Sequence, residues 1–259
     1  MKNFIAFVCC MGIYFNCHAQ DIRDHRNGKW TLLHGSDGKD VSINTSGELI
    51  LLNTAGKLYK YKDPDWKQTK SQFNIKIYSE NSTYFFVTGD GMKYSGTYTY
   101  YETPQILSPL ELGIYSKADI RDIGVDSDSS MWLTEGNGNI LFWDRSIIEL
   151  KGTDAVRIAA GAGQIWMINT AGKIYKYIGP KYPDPSKGRL WQQMPGSDGR
   201  DIAVSNDGSV WLVNTAGKIY QWYGSNWTQV EGSDGSRIAA NNGKVLLLNT
   251  AGKLFLRTY

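Results

Sequence analysis

Short apolar runs recur along the chain, and each ends at a small polar turn. Within Asp201–Val230, Ile202–Val204 is a short strand with a small middle residue, and the run Val210–Val213 does not alternate with polar residues, which is typical of a strand buried on both faces. A tight turn at Asn214–Gly217 leads into a third run. Trp227–Val230 then alternates apolar and polar residues, as an outer strand with one wet face does. The pattern predicts a four-stranded antiparallel unit.

This unit repeats along the chain. The phrase Asn-Thr-Ala-Gly-Lys occurs four times, beginning at Asn53, Asn169, Asn214 and Asn249. Weaker copies are Thr88-Gly-Asp-Gly91 and Glu135-Gly-Asn-Gly138. The last glycines of the six phrases are 35, 47, 34, 45 and 35 residues apart, which indicates six units with two insertions. Repeats of about 40 residues with four strands each are propeller blades, so we predict an all-β, six-bladed β-propeller with four-stranded blades.

The two ends of the chain complement each other. The sixth unit stops at its third strand, Leu254–Arg257, with no Trp strand after it. Trp30–Leu33 is a Trp strand with no blade before it. We therefore predict that this N-terminal strand pairs in the last blade and closes the ring, which removes an exposed sheet edge.

The N-terminal segment is typical of an export signal. Lys2 and an apolar stretch from Phe4 to Phe15 precede Ala19, which predicts a signal peptide at residues 1–19 and one propeller domain at residues 20–259. A lipoprotein anchor at Cys17 is the alternative. The three cysteines all lie in this leader, so the exported chain is expected to have no disulfide. The predicted location is secreted, either extracellular or periplasmic, with no membrane span.

The net charge and the small number of histidines narrow the possible classes of function. The formal net charge of +3 argues against nucleic acid as the main partner. Only His25 and His34 remain after the leader, so a His-based triad or His-rich metal site is nearly excluded, and we expect no cofactor or metal. Asp126-Ser-Asp128 resembles the start of a calcium loop, but Asn137 stands where the bidentate Glu is needed, which favours a simple turn.

The repeated unit resembles the tectonin repeat. The fifth unit shows the pattern as Trp191-Gln-Gln-Met194, Gly196-Ser197, Val210-Trp-Leu-Val-Asn214 and Gly217-Lys-Ile-Tyr220. Proteins of this kind, including the tachylectin and fish egg lectin types, are six-bladed propeller lectins. The resemblance implies binding of bacterial lipopolysaccharide, cell-surface glycans or methylated sugars at sites that repeat around the ring.

Two sets of loops are expected on one face of the ring: the turns between second and third strands, and the links between blades. Asp and Asn side chains there supply the acceptors and donors that sugar hydroxyls require. The same residue types also stabilise turns by bonding to the local backbone, and that alternative stays open. The candidate ligand-binding residues are Asp37, Asn53, Thr54, Asp154, Asn169, Thr170, Asp198, Asn214, Thr215, Asp234, Asn249 and Thr250.

The leading hypothesis is a secreted, non-catalytic lectin with repeated shallow sites. A propeller scaffold for a protein partner is the alternative. A propeller enzyme is disfavoured because the acidic residues recur unit by unit instead of converging on one pocket. Asp40 and Asp201, opposite Arg157 and Arg237 at the matching place, are expected to pair across blades for structural reasons.

Overall fold

The computed structural model describes residues 28–35, 37–72, 76–80, 83–87, 93–97, 105–107, 120–128, 130–144, 147–151, 153–187 and 190–259. From residue 70 to residue 107 it describes the backbone alone. The predicted signal peptide at residues 1–19, with Cys17, lies outside the described residues and stays a prediction.

The described chain consists of antiparallel strands arranged in four-stranded sheets. We call five of these sheets blades I to V. Blade I contains β2 (Gly38–Ile43), β3 (Leu49–Asn53), β4 (Lys57–Lys62) and β5 (Asp65–Gln72). Blade II contains β10 (Ile120–Val125), β11 (Met131–Glu135), β12 (Ile140–Trp143) and β13 (Ile147–Leu150). Blade III contains β14 (Ala155–Gly161), β15 (Gln164–Asn169), β16 (Ile174–Tyr177) and β17 (Trp191–Gln193).

Blade IV contains β18 (Gly199–Val204), β19 (Val210–Asn214), β20 (Ile219–Trp222) and β21 (Trp227–Val230). Blade V contains β22 (Gly235–Asn241), β23 (Lys244–Asn249), β24 (Leu254–Thr258) and the N-terminal β1 (Trp30–Leu33). A further sheet lies between blades I and II and contains β6 (Lys76–Glu80), β7 (Thr83–Val87), β8 (Lys93–Thr97) and β9 (Gln105–Leu107).

The prediction of a six-bladed propeller is corrected to five blades. Five sheets have first strands that line the axial channel and side chains that pack in the clusters between neighbouring sheets. The predicted second unit corresponds to the 76–107 sheet, for which only the backbone is described. Its repeat is also the most degenerate, since Thr88-Gly-Asp-Gly91 replaces the full phrase and no Gly-Ser-Asp link precedes it.

The order of strands within each blade follows from burial. First strands face the axis of the ring, where those of all five blades line a narrow channel. Second strands pack on both faces, and every residue of Leu49–Asn53 is buried. The second-strand tryptophans Trp132, Trp166 and Trp211 are at most 2% exposed and pack between adjacent blades. For the run Val210–Val213, which contains Trp211, this confirms the burial on both faces that the sequence predicts.

The N-terminal strand completes blade V, as predicted. Trp30 pairs with Arg257 and Leu33 pairs with Leu254 in an antiparallel ladder. The indole Nε1 of Trp30 donates a hydrogen bond to the carbonyl of Glu231 at 2.6 Å. The two ends of the chain are thus joined in one sheet, which packs against blade I.

The predicted charge pairing across blades is also confirmed. Arg157 Nε lies 3.5 Å from Asp201 Oδ1, and Arg237 Nε lies 3.9 Å from Asp40 Oδ1. Burial lowers the pKa of Arg157, but the surrounding carboxylates of Asp122, Asp201 and Asp40 raise it, and the net shift is upward. These pairs fasten neighbouring first strands near the axis.

Candidate functional site

The candidate residues lie where each blade begins. A link is the segment that leads into a first strand, and a turn is the Asn-Thr-Ala-Gly-Lys segment between the second and third strands. In four blades the threonine N–H of the turn donates to the aspartate carbonyl of the link. These hydrogen bonds are Thr54 to Asp37 (2.9 Å), Thr170 to Asp154 (2.9 Å), Thr215 to Asp198 (2.7 Å) and Thr250 to Asp234 (2.8 Å). Link and turn therefore share one face of the ring.

Each link also bonds to the turn of the preceding blade. The N–H after the aspartate donates to that turn's glycine carbonyl, as in Gly199 to Gly172 and Gly235 to Gly217, both at 3.0 Å. A Cβ built on Gly172 would lie 2.9 Å from the Asp198 Cα. Only glycine permits this approach, so two blades meet at every such junction.

The link aspartates adopt an unusual backbone conformation. Their φ angles are 77° at Asp37, 53° at Asp154, 65° at Asp198 and 62° at Asp234. Non-glycine residues rarely have positive φ, although Asp and Asn tolerate it better than others. Glycine would adopt this conformation at no steric cost. All four aspartates at these equivalent positions are exposed.

The asparagine side chains stabilise the turns. Oδ1 of Asn53, Asn169, Asn214 and Asn249 accepts the N–H of the lysine four residues later, at 2.8 to 2.9 Å. The turn-stabilising reading is therefore correct for these oxygens. The asparagines are also buried or half-buried, whereas the neighbouring threonines are exposed.

At three junctions the aspartate and threonine side chains form no hydrogen bond or ion pair with other described residues. The carboxylates of Asp154, Asp198 and Asp234 have no hydrogen bond or ion pair within the part of the chain that is described. The same holds for the hydroxyls of the three partner threonines, Thr170, Thr215 and Thr250. At the fourth junction the Thr54 hydroxyl donates to the Asp37 carboxylate. The three junctions thus present an acceptor and a hydroxyl side by side.

Outer-strand tryptophans support the links, a role that the sequence analysis did not assign. Nε1 of Trp66 donates to the His34 carbonyl at 2.8 Å, and Nε1 of Trp227 donates to the Pro195 carbonyl at 3.0 Å. A Cβ on Gly196 would lie 3.3 Å from the Trp227 ring. The signal for this role was available, because a Trp stands at or next to the start of the outer strand in four of the six sheets, at Trp30, Trp66, Trp191 and Trp227.

The segment that resembles the start of a calcium loop has a structural role among the described residues. Asp126 Oδ1 accepts the N–H groups of Ser127 (2.7 Å) and Gly163 (2.9 Å), so this carboxylate joins blades II and III. The described residues contain no group of three or more His, Cys, Asp and Glu side chains placed to hold a metal. Among the same residues there is no helix that is long and apolar enough to cross a bilayer.

Comparison with known proteins supports the assignment of the repeat. Residues 154–259 match the family model described as Tectonin domain. The match covers blades III and IV and the last three strands of the chain. Together with the propeller fold, it confirms the prediction of a tectonin-repeat propeller. No curated protein matches the chain.

Solved structures share the fold at low sequence identity. The β-propeller domain of Cps50 (Swd1) from Myceliophteria thermophila is 13% identical with a TM-score of 0.59, over 87% of this chain and 85% of that one. A protein of unknown function from Bacteroides thetaiotaomicron is 11% identical with a TM-score of 0.63, over 89% and 76%. Virginiamycin B lyase from Staphylococcus aureus is 18% identical with a TM-score of 0.54, over 85% and 79%. These similarities concern the fold alone.

Proposed function

We propose that this protein is a secreted, non-catalytic lectin that binds glycans at the link–turn junctions. The observation that carries the proposal is the repeated pair of an exposed, positive-φ aspartate and an exposed threonine. Their side chains have no partner at three junctions, within the described part of the chain. Sugars present vicinal hydroxyls, and a carboxylate beside a hydroxyl supplies the acceptors and the donor that those groups need.

Repetition suits this kind of ligand. A shallow junction offers few contacts, so each single site is expected to be weak. Several such sites on one face raise the overall affinity for a dense glycan surface, because binding at one site holds the others close to further copies. Lipopolysaccharide and methylated surface sugars are the ligand classes that we propose, by extension from the tectonin repeat.

Binding and folding can be separated experimentally. Replacing Asp154, Asp198 and Asp234 with glycine removes the carboxylates while supplying the residue that prefers positive φ. We expect the triple variant to fold with unchanged or slightly raised stability and to lose glycan binding. Asp65→Ala is the control, since it removes an exposed carboxylate from the β4–β5 turn on the opposite face.

The assay is a glycan array containing lipopolysaccharides and O-methylated sugars, read at several ionic strengths. The proposal requires binding by the wild type and by Asp65→Ala, and loss of binding by the triple variant. Equal binding by all three proteins would place the site elsewhere. Absence of any glycan ligand, together with one saturable protein partner, would favour the scaffold function instead.

A further inference from the structure

A long loop distinguishes blade III from the other blades. The connection between its third and fourth strands covers residues 178–190, and we call it the blade III loop. The equivalent connections in blades I, II and IV are the short segments 63–64, 144–146 and 223–226. A short turn is therefore enough to join these two strands. Surface loops that are much longer than their connection requires commonly carry function.

The blade III loop folds back over blade II. Where the loop leaves the sheet, the Tyr177 hydroxyl donates to the Pro180 carbonyl at 2.9 Å. Lys181 Nζ then lies 2.9 Å from Asp128 Oδ2, in the turn between the first and second strands of blade II. A first strand begins at its link and ends at this turn, so the turn lies at the opposite end of the blade from the links. The loop therefore contacts the face of the ring away from the junctions.

Tyr182 is exposed but held in place. Its side chain is 55% exposed, and the next residue in the loop, Pro183, is buried. The Tyr182 ring makes an edge contact with the Phe142 ring of blade II, with centroids 6.2 Å apart and an interplanar angle of 83°. Lys181 Nζ lies 5.6 Å from the centre of the Tyr182 ring, in a cation–π contact. A ring fixed in this way loses little conformational freedom when a ligand binds to it.

Polar groups accompany this ring. The hydrogen bond to Asp128 is the main cause that raises the pKa of Lys181, and the charge of Asp144 contributes to the same shift. The Asp144 carboxylate and the Tyr182 hydroxyl have no hydrogen bond or ion pair within the described part of the chain. The loop thus combines an apolar ring with an ammonium, a carboxylate and a hydroxyl.

The extent of the exposed apolar surface favours a sugar over a protein partner. Among the described residues of the loop, the exposed large apolar side chains are Tyr182 at 55% and Ile178 at 52%. A specific protein interface buries about 800 Å² on each partner. One aromatic ring with charged neighbours matches a single sugar residue more closely.

We propose that Tyr182 is the stacking platform of a further sugar-binding site, on the face of the ring opposite the junctions. The inference rests on the proposed lectin function and places an additional site in a loop that blades I, II and IV lack. The ligand class is a neutral pyranose, whose C–H groups stack on the flat apolar ring while Lys181 and Asp144 supply a donor and an acceptor for its hydroxyls. Carboxylates already offset the charge of Lys181, so a neutral sugar suits the site better than an acidic one.

Saturation-transfer NMR with methyl β-D-glucopyranoside tests the platform. The axial C–H groups of this neutral sugar alternate between its two faces, so stacking on a ring saturates the protons of one face more strongly than those of the other. The variants are Tyr182→Ala and Tyr182→Phe. The control is Ile178→Ala, which removes an exposed apolar side chain from the same loop. The triple junction variant described above is measured alongside them.

We expect face-selective saturation in the wild type, in Ile178→Ala and in Tyr182→Phe, because phenylalanine keeps the ring. Tyr182→Ala should bind the sugar about tenfold more weakly, since the stacking surface is lost while the ion pair of Lys181 with Asp128 remains. The triple junction variant should keep the face-selective signal. All of these proteins should have nearly the same melting temperature as the wild type.

Three results would overturn the proposal: no face-selective signal in the wild type, unchanged binding in Tyr182→Ala, or equal weakening in Ile178→Ala. A signal that is lost in the triple junction variant but kept in Tyr182→Ala would place the sugar at the junctions and also overturn the platform. The two proposals fail separately, because the platform depends on Tyr182 and the junctions depend on their aspartates.

Discussion

Two adjacent leucines in the N-terminal strand test whether that strand completes blade V. Leu33 is 6% exposed and packs with Leu254 and Leu51 in the cluster between blades V and I. Leu32 is 55% exposed, although it belongs to the same strand. Successive side chains of a strand point to opposite faces, so the pair differs only in which face is buried.

The expected magnitudes follow from that difference. Truncating a buried leucine to alanine costs about 2 to 5 kcal/mol, through lost burial and the cavity that remains. Leu33→Ala should therefore lower the free energy of unfolding by about 3 kcal/mol. A solvent-exposed substitution usually changes stability by about 0.5 kcal/mol or less, which is our expectation for Leu32→Ala.

Urea denaturation followed by tryptophan fluorescence measures both variants. In a domain of this size, about 3 kcal/mol also corresponds to a fall in melting temperature of roughly 6 to 12 °C. Negligible loss in both variants would mean that the N-terminal strand is not docked. Equal loss in both would mean that the observed face of the strand is wrong, and with it the pairing of Leu33 with Leu254.

Three further predictions concern junctions, charges and pH. Gly172→Ala should destabilise the fold by several kcal/mol, because its Cβ would clash with a backbone; Gly163→Ala has nearly the same φ and nothing within 4 Å, so urea denaturation should show only about 1 to 2 kcal/mol. Asp201→Asn should cost about 3 kcal/mol in the same assay by removing the carboxylate that pairs most closely with Arg157, and adding Arg157→Met should restore part of that loss. Burial raises the pKa of Tyr177 to about 12, against about 10 in the unfolded chain, so it contributes stability that is complete below pH 10 and falls as pH rises towards 12. Tyr177→Phe should reduce that alkaline slope in denaturation measured across pH, and an unchanged slope would contradict it.

The features that local patterns predict are confirmed by the structure. The apolar runs are strands, the second-strand tryptophans pack between blades, and Trp30–Leu33 joins the last sheet. The Asp201–Arg157 pair was predictable because equivalent positions in a repeat occupy equivalent places in adjacent blades. All of these depend on residue spacing, which the sequence displays directly.

The features that depend on the approach of two blades were not predictable in the same way. Nothing in the letters Gly-Ser-Asp shows that Asp198 adopts φ 65° or that its Cα lies against Gly172. The bulge at Arg200 is likewise a property of strand pairing. The prediction of six blades was wrong at the unit with the weakest copy of the phrase. That unit was inferred from the spacing of its glycine, because its residues do not match the full phrase.

The number of ligands bound per chain is the most direct test of the lectin account. Once the array has identified a glycan, native mass spectrometry with its monovalent form counts the occupied sites. We predict more than one bound ligand per chain and the loss of one with each of Asp154→Gly, Asp198→Gly and Asp234→Gly. A single bound ligand, or a number unchanged by these substitutions, would contradict the claim that the repeated junctions are the binding sites.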